Sequence, residues 1–241
     1  RASRQSSTGS KWTGFYVGGF GGYSNVRANA VTTTANLQNS GYFHVDSIKS
    51  VNAAGNQRLK TNTFNGGGTF GYNYQRNRLV VGAEVDFGSN RSNRKVTSTG
   101  TYPCCLPSGF EMTQTVKSNW LMTARPRIGI ATEKVLIYAT GGVAVSDVDY
   151  SEVFTDNYGA KASQSGSFKR TKAGWVAGAG IEFQAASKLS VKAEYLVNQF
   201  PRTSTTSNNL KEGQNLFPAT VFTHSTDLKS HSLRFGINYH F

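Results

Sequence analysis

The sequence predicts an all-β protein: an eight-stranded antiparallel up-and-down β-barrel that crosses a membrane. Three observations predict it. The last nine residues, Leu233-Arg-Phe-Gly-Ile-Asn-Tyr-His-Phe241, alternate large apolar with small or polar side chains and end on an aromatic, a strand with one apolar and one polar face. That alternation recurs about eight times, an even number that closes a barrel with both chain ends on one side. The connections alternate in length: three are tight, near residues 76, 133 and 186, and four are long, at about 29–61, 93–112, 151–170 and 203–225. Short periplasmic turns and long extracellular loops have this rhythm in outer-membrane barrels.

The first strand is placed at about 13–25, with Phe15 and Val17 opposite Tyr16, Gly18 and Phe20; the second, at about 63–75, ends in Phe70, Tyr72 and Tyr74 on one face. The third, at about 78–91, sets Leu79, Val81, Ala83, Val85 and Phe87 against Val80, Gly82, Glu84 and Asp86. In the fourth, at about 113–131, Trp120, Met122, Ala124, Pro126, Ile128 and Ile130 oppose Thr123, Arg125, Arg127 and Gly129. Pro126 weakens this strand, since proline donates nothing to a ladder.

The fifth strand, at about 135–150, opposes Val135, Ile137, Ala139, Val143 and Val145 to Tyr138, Thr140 and Gly142. Trp175, Ala177, Ala179, Ile181 and Phe183 form the apolar face of the sixth, at about 171–184. The seventh, at about 189–202, turns Leu189, Val191, Ala193, Tyr195 and Val197 away from Lys192 and Glu194, and the eighth covers about 227–241. Residues 1–11 read as a flexible periplasmic tail and 12–241 as the barrel domain.

Composition agrees. Of 241 residues, 16% are charged and 12% aromatic, with 26 Gly and 5 Pro, as for strands joined by glycine-tolerant turns. No run approaches the roughly 18 apolar residues of a membrane helix, and mean hydropathy is −0.41. A barrel is compatible with both, because it places apolar residues at every second position. The chain starts at Arg1, and the expectation is that an export signal has already been removed.

The faces separate a membrane barrel from a soluble sandwich. In a sandwich the apolar faces pack together and the polar faces meet water. Here the polar face holds Gly, Thr and Asn with a balanced set of charges, Glu84, Asp86, Arg125, Arg127, Glu182, Lys192, Glu194 and Arg234, which suits a narrow filled lumen. The expectation is a network in which these four cations neutralise these four carboxylates and plug the barrel. Trp12, Tyr74, Trp120, Trp175, Tyr195, Tyr239 and Phe241 are assigned to aromatic girdles.

Net charge is +13, which calls for an anionic neighbour. The basic residues are spread among loops and no nucleic-acid-binding motif is present, so heparin-like glycans, a membrane surface or, as the leading expectation, lipopolysaccharide are favoured over nucleic acid. Arg91, Arg94, Lys95, Lys169 and Arg170 are the residues expected to face its phosphates.

Cys104 and Cys105 are adjacent in the second long loop. They lack further ligands nearby for a metal, and in an oxidising compartment they form a vicinal disulfide, link to another chain or stay reduced; the expectation is the disulfide. His44 and His224 are read as loop residues that could reach a hemin iron together with Tyr42, against a bland reading as solvated histidines. No Ser/His/Asp arrangement can be assigned, so no enzyme, cofactor or metal site is expected.

The segments Trp12-Thr-Gly-Phe-Tyr-Val-Gly-Gly19, Gly66-Gly-Gly-Thr-Phe-Gly-Tyr72, Val81-Gly-Ala-Glu84 and Tyr138-Ala-Thr-Gly-Gly142, with the terminal Phe241, resemble the small outer-membrane porin-family proteins of alphaproteobacteria, the Omp25/Omp31-like and hemin-binding surface proteins, with an OmpA-type barrel. The resemblance covers all eight strands and fails in the loops. It implies a multi-pass protein of the Gram-negative cell outer membrane, and that Tyr239 and Phe241 are read by the barrel-assembly machinery. Roles assigned in that family are envelope integrity, adhesion and hemin binding.

The leading expectation is a structural surface protein contributing to envelope integrity. Its rivals are a narrow porin for ions or small solutes and a hemin or host-matrix receptor. Attachment of the tail to peptidoglycan and homo- or hetero-oligomers are further partner expectations.

Overall fold

The computed structural model describes residues 12–37 and 41–241; the tail expected at residues 1–11 lies outside them. Eight long strands form the wall: β1 (Gly14–Asn36), β2 (Asn56–Arg76), β3 (Leu79–Thr101), β4 (Gly109–Ala131), β5 (Val135–Asp156), β6 (Ala162–Gln184), β7 (Leu189–Ser207) and, after a ribbon of β8 (Lys211–Glu212) and β9 (Asn215–Leu216), β10 (Thr220–His240). Each pairs antiparallel with its chain neighbours, and β1 pairs with β10 to close the ring. One helix, α1 (Val45–Ala54), lies in the first long connection and turns Val51 inward.

Alternation works as expected near the short turns. Phe15, Phe70, Val81, Ile128, Ile137, Ile181, Val191, Phe235 and Ile237 point outward and are exposed, forming a continuous apolar belt. Its height matches the 9–11 residues that a tilted strand needs to cross a hydrocarbon core. The turn between β2 and β3 is Asn77-Arg78, with Asn77 at φ 57°, a left-handed conformation that asparagine tolerates.

The strands are 19–23 residues long, about twice the height of the belt. Much of what the sequence suggests are long loops is strand: the connections shrink to 37–55, 102–108, 157–161 and 208–219, the last containing the small ribbon.

Beyond the belt the ring divides. β2 pairs with β3 only from Gly66↔Ser89 to the turn, and β6 with β7 only from Trp175↔Gln199 to the turn. The other six interfaces continue far past that level, reaching for example Thr101↔Gly109 and Thr155↔Ser163. The far half is therefore two four-stranded sheets, β2-β1-β10-β7 and β3-β4-β5-β6, with two lateral seams. Register shifts at Ser89/Ser92, Lys117/Leu121 and Thr226/Leu228 fall at the division, where bulges bend a sheet.

Between the two sheets the pattern of faces inverts. Val26, Ala28, Leu59, Val116, Val148, Tyr150, Phe168, Phe200 and Leu228 turn inward and pack as an apolar core. A second cluster above it, with Phe43, Val51, Met112, Phe154 and Phe222, seals the end under α1. The barrel thus carries a small sandwich on top of its belt; the belt section has a polar interior, and the sandwich interior is mostly apolar around a buried polar cluster.

Candidate functional site

The belt section's interior holds all eight predicted charges, each at most 5% exposed. The ladder places Glu84 opposite Arg125, Glu182 opposite Lys192 and Glu194 opposite Arg234. The side chains then reach across the lumen. Arg125 Nη2 donates to Glu84 at 2.7 Å and Asp86 at 2.9 Å, and its Nη1 donates to Glu194 at 3.0 Å. Arg127 meets Glu182 at 3.2 Å, Lys192 donates to Glu84 at 2.8 Å, and Arg234 to Asp86 at 3.0 Å. The formal charge of the eight sums to zero, and strands β3 and β4 are tied to β6, β7 and β10.

Neutral partners complete the network. The Tyr16 hydroxyl donates to Glu84 at 2.7 Å, the Tyr138 hydroxyl to Glu194 at 3.1 Å and the Thr123 hydroxyl to Asp86 at 2.6 Å. Asn73 accepts from Arg127 and Asn238 donates to Glu182, each at 2.8 Å. The Arg127 guanidinium stacks on the rings of Tyr16 and Tyr138, and Arg234 stacks on Phe20. Gly71 makes room for this, because a Cβ there would run into the Tyr16 ring. Sequence reasoning counted charges and missed these neutral groups, although alternation had already turned Tyr16 and Tyr138 inward.

The short-turn end is closed by Trp12, against the assignment of Trp12 to a girdle. It is fully buried, donates from its indole to the Thr132 carbonyl at 3.3 Å, and packs with Val80, Ala131, Leu136 and Tyr138. A residue preceding the first strand folds back into the lumen because its ring finds an apolar floor there. Tyr74, Trp175, Tyr195, Tyr239 and Phe241 face outward at the belt, while Trp120 is half-buried.

Arg91, Arg94, Lys95, Lys169 and Arg170 are all exposed, on β3 and β6, just above the belt. They stand on strands that border the two seams, with Arg58 and Lys60 across one and Arg202 across the other. The β2–β3 seam is bridged where the Thr63 hydroxyl donates to the Arg91 carbonyl. Cys104 and Cys105 form a vicinal disulfide at the far tip, beside Ser47 of α1.

His44 and His224 are not brought together. His44 caps α1 at the surface, whereas His224 is fully buried in the sandwich, which corrects its reading as a loop residue and removes it as a ligand for a surface hemin. Tyr42 is also engaged: its hydroxyl donates to Asp156 at 2.8 Å. Around His224 lies a second polar cluster that sequence reasoning did not anticipate. Thr32, Gln114, Tyr150, Glu152, Gln164 and His224 are all buried there. Burial pushes the Glu152 carboxyl up to about 8 and the His224 imidazole down to about 4.

A family model described as outer membrane protein beta-barrel domain matches residues 2–241. A 31 kDa outer-membrane immunogenic protein of Brucella melitensis is 29% identical over 95% of this chain and 84% of that protein. A 22 kDa outer membrane protein of Rhizobium leguminosarum is 28% identical over 76% of this chain and 62% of that protein. Among solved structures, OprG from Pseudomonas aeruginosa aligns over 95% of this chain and 97% of that one, with a TM-score of 0.45 and 10% identity.

Proposed function

This chain belongs to the outer membrane protein beta-barrel domain family, and from that premise we propose that it is a structural surface protein of the outer membrane whose lumen is plugged and whose cationic rim holds lipopolysaccharide. The membrane location and the likeness to the Brucella 31 kDa protein are properties of the whole barrel. The plug and the rim are the further reading.

The observation that carries the plug is the buried eight-charge network. Charges withdrawn from water are tolerated where partners and hydrogen bonds compensate them, and here each cation meets at least one carboxylate from a strand that is not its ladder neighbour. With Trp12 at one end and the apolar sandwich core at the other, the reading leaves no wet path for solutes. In planar lipid bilayers the native protein is expected to give no large, stable openings. Such openings would overturn the plugged barrel in favour of the narrow porin.

Orientation follows from the connections. The short turns sit on the periplasmic side and the sandwich outside, as in barrels of this kind. The exposed cations on β2, β3, β6 and β7 then lie at the height of lipid phosphates, where each basic residue is worth about 1 kcal/mol. Replacing Arg91, Arg94 and Lys95 together by Ser is expected to remove most of the lipopolysaccharide that co-purifies with the folded barrel. Unchanged retention, measured by phosphate per chain, would count against the rim.

The outward Tyr239 and Phe241 are the residues this reading gives to the assembly machinery. No catalytic role forms part of it.

A further inference from the structure

We propose that the sandwich above the belt contains an internal divalent-cation site, built on Glu152 and His224. Four acceptor oxygens are buried there without a hydrogen-bond partner among the described residues: both carboxylate oxygens of Glu152, Oε1 of Gln114 and Oε1 of Gln164. The donors nearby are already committed. Gln114 Nε2 donates to Thr32 Oγ1, the Gly55 carbonyl and the Tyr150 hydroxyl at 3.0–3.1 Å, and Gln164 Nε2 donates to Ser207 Oγ. A buried carboxyl without a partner holds its proton unless a positive charge stands beside it, and a bound cation would take the place of that proton.

The ladder puts these groups together from both sheets. Gln114 on β4 stands directly opposite Glu152 on β5, and Glu152 stands opposite Gly166 on β6. Gly166 leaves the space that the His224 ring occupies from β10, because a Cβ there would strike the imidazole. His224 Nδ1 and Glu152 Oε2 are 3.8 Å apart, too far for a hydrogen bond; Nδ1 meets Thr32 Oγ1 at 3.1 Å, a contact that a bound ion would displace, and Nε2 meets Ser207 Oγ at 2.8 Å. Two such atoms that share a tetrahedral ion, at about 2.0–2.2 Å each, are separated by about 3.4 Å, so the gap needs little movement to close on one.

One carboxylate, one imidazole and amide oxygens suit a borderline or hard divalent ion of the Zn²⁺ or Mn²⁺ class. Among the described residues no three or more His, Cys, Asp and Glu are grouped so as to hold a metal ion, so this site depends on Gln for its completion. The cluster lies closest to the surface at the β6–β7 seam, where opening of the Gln164–Ser207 contact would admit an ion. There Gln164 and Ser207 join across the gap, and a recess of about 410 Å³ lined by Val153, Gln164, Ser165, Asn209 and Lys211 lies outside.

The test uses the folded full chain in detergent, stripped with chelator and then offered Zn²⁺ or Mn²⁺ alone. Metal per chain is read by elemental mass spectrometry after desalting, and folding by circular dichroism. The expected result is about one ion per chain and a raised urea midpoint with metal. Glu152→Gln, which keeps the shape of the side chain, and His224→Gln are each expected to weaken binding by about 10- to 100-fold or more. A native chain that binds neither ion, or variants that bind as well as the native chain, would overturn the site. The native measurement decides even if a variant folds poorly.

Discussion

Arg125→Ala is expected to lower the unfolding free energy of the barrel by about 3–5 kcal/mol, the cost of breaking a buried ion pair by removing one partner. Arg125 is the hub of the lumen: its two terminal nitrogens serve Glu84, Asp86 and Glu194, all at most 3% exposed. Truncation leaves Glu194 with the Tyr138 hydroxyl as its remaining hydrogen-bond donor among the described residues, while Glu84 keeps Lys192 and Tyr16, and Asp86 keeps Arg234 and Thr123. The loss therefore falls mainly on Glu194, and adding Glu194→Ala is expected to cost less than the sum of the two single changes. Arg125→Lys keeps the charge but not the fork, and is expected to fall between native and Ala. Urea unfolding of protein refolded into vesicles measures all four. A loss under about 1 kcal/mol, the scale of an exposed pair, would mean that water reaches the network.

The second large effect lies on the opposite face. Ile237→Arg is expected to destabilise the barrel by about 2–4 kcal/mol, the cost of an arginine at the bilayer midplane. Ile237 is 60% exposed, stands between Gly19 and Val191 in the ladder, and lies midway between Leu233 and Phe241 of the outward belt. Lys229 lies on the same outward face of the same strand, beyond the belt, paired with Arg27 and Gln199. Lys229→Ala is accordingly expected to stay within about 0.5 kcal/mol. The contrast between the two, measured by the same unfolding assay, locates the edge of the hydrocarbon. Equal effects would place the belt against something other than lipid.

The eight strands and the membership of the lumen network were legible because both rest on a period of two. Once Leu79, Val81 and Val85 face lipid, Glu84 and Asp86 face inward, and the same step assigns Arg125, Arg127, Glu182, Lys192, Glu194 and Arg234. Which partner each one takes was not legible. Lys192 stands opposite Glu182 in the ladder yet donates to Glu84 across the lumen, a choice made by the width of the closed ring.

The sandwich was hidden for a different reason, seen along β5. Val135, Ile137, Ala139 and Val143 point outward; past Ser146 the apolar residues Val148, Tyr150 and Phe154 point inward, with Glu152 among them. Nothing in the backbone stops, but the phase of the alternation reverses, and in a sequence that reads as the end of a strand. The far parts of β3 and β7 carry so many Ser, Thr and Asn that they show little phase at all. Hence Glu152 and His224 read as loop residues in the sequence.

By itself the sequence determined the strand count, the closure and the two faces of the belt, since lipid and a narrow polar lumen impose opposite chemistry on alternate residues of every strand. Only the tertiary structure decided how far the strands run and which buried groups meet. Outside the hydrocarbon the solvent on the outer face changes from lipid to water, and the apolar side chains must turn inward toward a core that exists only once the two sheets have packed together.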